Sequence, residues 1–200
     1  MDIRPRPSSR AFAGAAALLV GLLSTSPGFA DDKERLAKGE ILVTLRAVKG
    51  ADIPAATVRA VVDASPAKVW AVVQDCSRYT KTMMRVKESK EVSRKGNIVH
   101  CQVLVDMPWP LSDLGALTRA VHTVRAGKYY QRKWDLVKGD YKINKGSWTV
   151  TPYDTTGNRS MVVYQAHAVP NISVPKWIQK AAAKRTFPNL LKHLRKQVAP

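Results

Sequence analysis

Residues 175–198 read PKWIQKAAAKRTFPNLLKHLRKQV, and this segment decides the fold. At about 100° per residue, Trp177, Ile178, Ala181 and Ala182 fall in one sector, with Lys176, Lys180 and Lys184 roughly opposite. Beyond Thr186 the apolar set becomes Phe187, Leu190, Leu191, Leu194 and Val198, a second stripe rotated far from the first. Pro188 stands at the change of phase, where a missing backbone donor and a ring clash predict a kink or break. The segment is thus a long amphipathic helix in two halves. It reads as a bent core helix, or as a packed second half with a movable first half. Strand-like segments fill most of the preceding chain, and a sheet with one apolar face needs such a helix to close against.

Those strands can be followed outward from the helix. Glu40 to Val48 and Thr57 to Asp63 are β-like, the second with Val58, Ala60, Val62 and Ala64 on one face. Ser65 and Pro66 are N-cap and first-turn residues for a helix to Asp75, with Val69, Trp70 and Val73 as its buried stripe. Cys76 to Met83 reads as a second short helix. Six strand segments follow between Met84 and Val169, divided by turns at Gly96, Gly127, Gly139 and Asp154 to Asn158, with a bulge expected at Gly146. Asp31 to Lys38 is a short helix or a loose arm.

The first thirty residues stand apart from this plan. Arg4, Arg6 and Arg10 precede an uncharged, mostly apolar run from Ala11 to Leu23, and small residues at Gly28 and Ala30 complete a secretory signal pattern. The run falls short of the roughly 20 residues a membrane span needs. Cleavage is expected between Ala30 and Asp31, leaving one domain, 31–200, in the periplasm or outside the cell.

The chain has 33 Lys and Arg against 15 Asp and Glu, a net charge of +18. The signal segment carries three Arg and one Asp, so +16 remains after its removal. Such an excess attracts polyanions. For an exported chain that means an anionic membrane surface rather than nucleic acid. Cys76 and Cys101 are either bonded to each other, which an oxidising compartment permits, or two small buried apolar residues.

Residues able to do chemistry are few. The histidines 100, 122, 167 and 193 lack metal-ligand spacing, so no metal site is expected. Asp106, Asp113 and Asp135 are the candidates for a buried general base, yet none has an evident partner for acid–base work. No catalytic residue is therefore assigned, and no cofactor is expected. The tryptophans say more. Trp109 lies in a Pro-rich turn, as the wall of a cavity mouth or as a membrane-contact tip. Trp134 and Trp148 alternate with polar residues in strands, as lumen walls or as plain core. Arg119 and Tyr164 are headgroup partners if their side chains point inward. Trp177, Ile178 and Ala181 complete the candidate cavity from the helix side.

The order of elements is similar to the helix-grip fold of the START and Bet v 1-like superfamily, in its START/polyketide-cyclase branch. Four motifs carry the resemblance: Val61 to Tyr79 (VVDASPAKVWAVVQDCSRY), Asp106 to Asp113 (DMPWPLSD), Gly146 to Trp148, and the run from Val169 to Val198. START-like chains often follow the Pro-rich turn with Arg-Asp; Leu114 and Gly115 stand there in this chain. The resemblance implies an α+β helix-grip fold, with an antiparallel sheet wrapped around a long C-terminal helix and two short helices near the start of the domain. It also implies an apolar cavity for a lipid, sterol, isoprenoid quinone or polyketide. A monomeric carrier or sensor of a hydrophobic molecule is the leading expectation. A cyclase-type enzyme using the same cavity and a basic interaction module without a ligand are the alternatives.

Overall fold

The computed structural model describes residues 27–199. Most of the expected signal segment, residues 1–26, lies outside them. Helix α1, Pro27–Ala37, runs across the expected Ala30–Asp31 junction.

Alternation of side chains builds the sheet. Strand β1 is Leu42–Arg46 and β2 is Ala55–Val62. Val58, Ala60 and Val62 of β2 are fully buried on the face that receives the C-terminal helix. Val61 points the other way yet is buried too, because Leu36 of α1 and Leu42 of β1 cover it. Helix α1 thus closes the back of one sheet edge.

Helix α2, Pro66–Val73, starts as the sequence prescribes: the Ser65 hydroxyl accepts a hydrogen bond from the Lys68 amide at 3.4 Å. Val69, Trp70 and Val73 are its buried stripe. A 3-10 turn, Cys76–Arg78, opened by the Asp75 carboxylate on the Ser77 amide at 3.1 Å, leads into α3, Tyr79–Thr82. The rest is a meander: β3 Val86–Lys95, β4 Ile98–Val105, β5 Leu114–Arg125, β6 Tyr129–Gly139, β7 Tyr141–Pro152 and β8 Ser160–Pro170. All pairs are antiparallel, and β8 returns to β2, giving the order β1-β2-β8-β7-β6-β5-β4-β3. The expected α+β helix-grip architecture is the observed one.

Two local expectations need correction. The C-terminal helix does not break at Pro188. It runs as α4, Lys176–Ala181, a π-helical turn, Ala182–Thr186, and α5, Phe187–Gln197. The Phe187 amide donates to the Ala182 carbonyl, five residues back. One extra residue in the turn rotates the apolar stripe by about 100° without interrupting the helix. Pro188 then falls in the first turn of α5, where it is tolerated. In α4 only Ile178 is buried, whereas Leu191, Leu194 and Val198 enter the main core.

Gly146 is not a bulge. Its register with Ala166 and Trp134 is regular, and the irregularity of β7 lies between Tyr141 and Ile143. A Cβ at Gly146 would collide with the Gln165 carbonyl oxygen and come within 2.6 Å of the Trp134 indole. The glycine is a seat for that ring.

Candidate functional site

Between the concave face of the sheet and the α4–π–α5 helix lies a cavity of about 600 Å³, within the range of sites for small organic ligands. Its sheet wall is aromatic. The Trp148 and Tyr164 rings are 4.4 Å apart, Trp134 lies 6.0 Å from Tyr164, and Phe187 of α5 reaches the same tyrosine at 6.4 Å. Trp134 is held flat over Gly146 and donates from Nε1 to Asn144 Oδ1 at 3.1 Å. From the helix side come Ile178, Ala181 and Ala182, and from the short helices Tyr79 and Met83. Burial raises the pKa of Tyr79 and Tyr164 and pushes Tyr141 up to about 12. These phenols are therefore neutral at physiological pH and can both donate and accept.

Four charged side chains line the cavity, Arg85, Asp106, Arg132 and Arg185, and of these only Arg132 is buried. Arg132 of β6 is 3% exposed and lines the cavity. Its guanidinium lies 5.6 Å from the Tyr79 ring centroid and 5.5 Å from that of Trp134. Nη2 donates to Cys101 Sγ at 3.3 Å, and Nε has no partner among the described residues. No ion pair among the described residues includes it. Two aromatic faces offset part of the desolvation cost of a buried cation, which is on the order of several kcal/mol.

Beside Arg132 in register stands His122 of β5. It is 6% exposed, 5.1 Å edge-to-face from Trp70, and its Nε2 has no partner among the described residues. Burial, together with the positive charges of Arg132 and Arg94, lowers its pKa to about 4.

The sequence-derived candidates divide as follows. Trp134, Trp148, Tyr164, Ile178 and Ala181 all lie on the cavity wall, and Trp177, 57% exposed, lies at its mouth. Trp109 does not line it. Its neighbours Met107 and Pro108 do, while Trp109 points to solvent and is 87% exposed, so the cavity-wall reading is corrected to a surface tip. Arg119 is also corrected. Thr118 and Ala120 take the buried phase of β5, which leaves Arg119 on the outer face opposite Asp135. Cys76 and Cys101 form a disulfide with Cα atoms 6.3 Å apart, within the usual range. Of the three candidate bases, Asp135 is exposed, Asp113 pairs with Lys87 at 2.8 Å, and Asp106 pairs with Arg85 at 3.0 Å and Lys87 at 3.5 Å. None is a free buried carboxylate.

A family model described as polyketide cyclase / dehydrase and lipid transport matches residues 62–195. The chain belongs to that family. Structures of the same fold include a STAR-related lipid transfer protein fragment from Xanthomonas axonopodis, 23% identical with a TM-score of 0.68, covering 79% of this chain and 93% of that one. Human STARD10 is 16% identical with a TM-score of 0.67, over 86% of this chain and 77% of that one. The Zhui aromatase/cyclase from Streptomyces sp. R1128 is 11% identical with a TM-score of 0.57, over 80% and 94%. No curated protein matches the chain. At these identities the likeness is one of fold.

The position after the Pro-rich turn holds no cation in this member of the polyketide cyclase / lipid transport family. Leu114 is buried at the start of β5, and the next residue, Gly115, donates its amide to Asp140 Oδ2 at 2.7 Å. The buried charge facing the cavity comes from Arg132, two residues along β6 from Trp134. Sequence reasoning missed it although the signal was present: if Trp134 points inward, Arg132 must share its face.

Proposed function

We propose that this member of the polyketide cyclase / lipid transport family binds a hydrophobic molecule in the cavity beneath α4 and carries or senses it at the bacterial envelope. The observation that carries the reading is the cavity itself, about 600 Å³ walled by aromatic and aliphatic side chains. The enzymatic alternative needs a positioned acid and base. The acidic residue on the lining, Asp106, is tied up by Arg85 and Lys87.

Export through the N-terminal signal pattern and docking on an anionic membrane belong to the same proposal. The charge of +16 on residues 31–200 supports docking, as do the exposed large apolar side chains Trp109, Ile172 and Trp177, the last of which lines the cavity. We propose that the carrier acts as a monomer.

Native mass spectrometry of the protein purified from the envelope tests the reading. A co-purifying amphiphile released on denaturation is expected, and the intact chain should begin at Asp31. A clean apo mass, with no hydrophobic probe bound in titration, refutes the carrier. Vesicle sedimentation tests the docking arm: binding should need anionic lipid and fade with salt. Equal sedimentation with neutral vesicles refutes it.

A further inference from the structure

We infer that the hydrophobic molecule bears an acidic oxyanion head, a carboxylate or a phosphate, and that Arg132 receives this head at the inner end of the cavity. The inference rests on the reading of the cavity as a ligand site and specifies what the ligand must carry.

A buried guanidinium is normally found against a carboxylate, because its donors otherwise lose water without replacement. Among the described residues Arg132 has no such partner. Its Nη2 is spent on a disulfide sulfur, a weak acceptor, and its Nε is unmatched. The acid nearest in function, Asp106, is held by Arg85 and Lys87. The Tyr79 and Trp134 rings both lie against the guanidinium, so its planar fork is restrained before any ligand arrives. A restrained fork of N–H donors in an apolar cavity matches an oxyanion bidentately.

Position along β6 sets the direction of entry. Gly139 pairs with Ala116 at the end of the sheet where Met107 and Trp177 border the mouth. Arg132 lies seven residues inward, roughly 20 Å at strand rise. The head therefore goes in first, and the chain extends past Trp134 and Trp148 toward Trp177. Arg185, on the rim, is exposed and hydrated, so it discriminates little between an acid and an alcohol.

Delipidated protein titrated with oleic acid, oleyl phosphate, oleyl alcohol and methyl oleate tests this directly. The four share one chain and differ only in the head. The acid, the phosphate or both are expected to bind about 10- to 100-fold tighter than the alcohol and ester, the range for a charge-assisted hydrogen bond. Which of the two is preferred assigns the head. Arg132→Met should erase the preference, bringing the acid and the phosphate to the affinity of the alcohol and the ester. Its ligand-free melting temperature should hold or rise, because an unpaired buried charge has been removed. Arg132→Gln serves the same comparison if the methionine variant fails to fold, and the four-probe series on the parent needs no variant. Equal affinity of the parent for all four probes overturns the inference and leaves the ligand site standing. So does an acid preference that survives both substitutions. Failure of every probe to bind overturns the ligand site itself.

Discussion

His122 makes stability depend on pH, and the size of the effect follows from its surroundings. In the unfolded chain the imidazole titrates near 6.5, whereas in the fold it does so at about 4. Between these values the unfolded chain takes up a proton that the native state refuses. A depressed folded pKa therefore gives stability that is complete above pH 6.5 and drains away as the pH falls toward 4. The gap corresponds to a ceiling of about 3 kcal/mol, and the slope within the window cannot exceed about 1.4 kcal/mol per pH unit for one proton. Burial against Trp70 is the main cause, Arg132 and Arg94 add repulsion, and Glu91 works weakly in the opposite direction. Asp113 and Asp154, also titrating low in the fold, start from an unfolded value of 3.8 and act below this window.

Urea unfolding at several pH values between 8 and 4, on the parent and on His122→Gln, measures the effect. Whatever the overall stability of the glutamine variant, the slope is what counts, and it should flatten between 6.5 and 4. Arg132→Met should flatten it in part, since one of the repelling charges has gone. Parallel curves for parent and His122→Gln refute the reasoning, as does an NMR titration that finds the folded imidazole protonating near 6.5.

Two further outcomes follow from the same structure. Ala181→Trp should fill part of the cavity, abolishing binding of a fluorescent fatty acid while the melting temperature holds; in a packed core the same change would cost about 1–3 kcal/mol, or roughly 2–12 °C. Cys76→Ser with Cys101→Ser should lower stability by about 3–4 kcal/mol in the chain-entropy model for a bridge spanning 25 residues, read as a shift in the urea midpoint against the oxidised parent.

The fold was legible because its signals are local and repeated. Ser65 and Pro66 start a helix in any context that permits one, and turn residues at Gly96, Gly127 and Gly139 divide strands whose inner faces are built from Val and Ala. The π turn was less legible. Two stripes out of phase show that something must happen between Ala182 and Phe187, but a proline is a visible suspect and an extra residue in a helical turn is not. The misplaced Trp109 has a similar origin. An amphipathic ring in a turn satisfies its chemistry equally well against a cavity or at a surface, and only the path of the loop decides.

The exchange of Arg119 for Arg132 rests on a different physical point. Both lie in strands, and the default for either is outward, because desolvating a guanidinium costs more than its stem gains. Register breaks the tie. Trp134 packs on its cross-strand partner Gly146 and is buried, and the burial of this pair's face sets the phase of β6. Tyr130, Arg132 and Trp134 then face in, and Lys133 and Asp135 face out. Across the ladder Arg119 pairs with the exposed Asp135, and His122 with the buried Arg132. The alternation that buries Tyr130 and Trp134 on β6, and Thr118 and Ala120 on β5, therefore carries a cation to a place where the apolar effect alone would never put one. Once stability is set aside as the reason for a charge in such a place, recognition of an opposite charge is what remains.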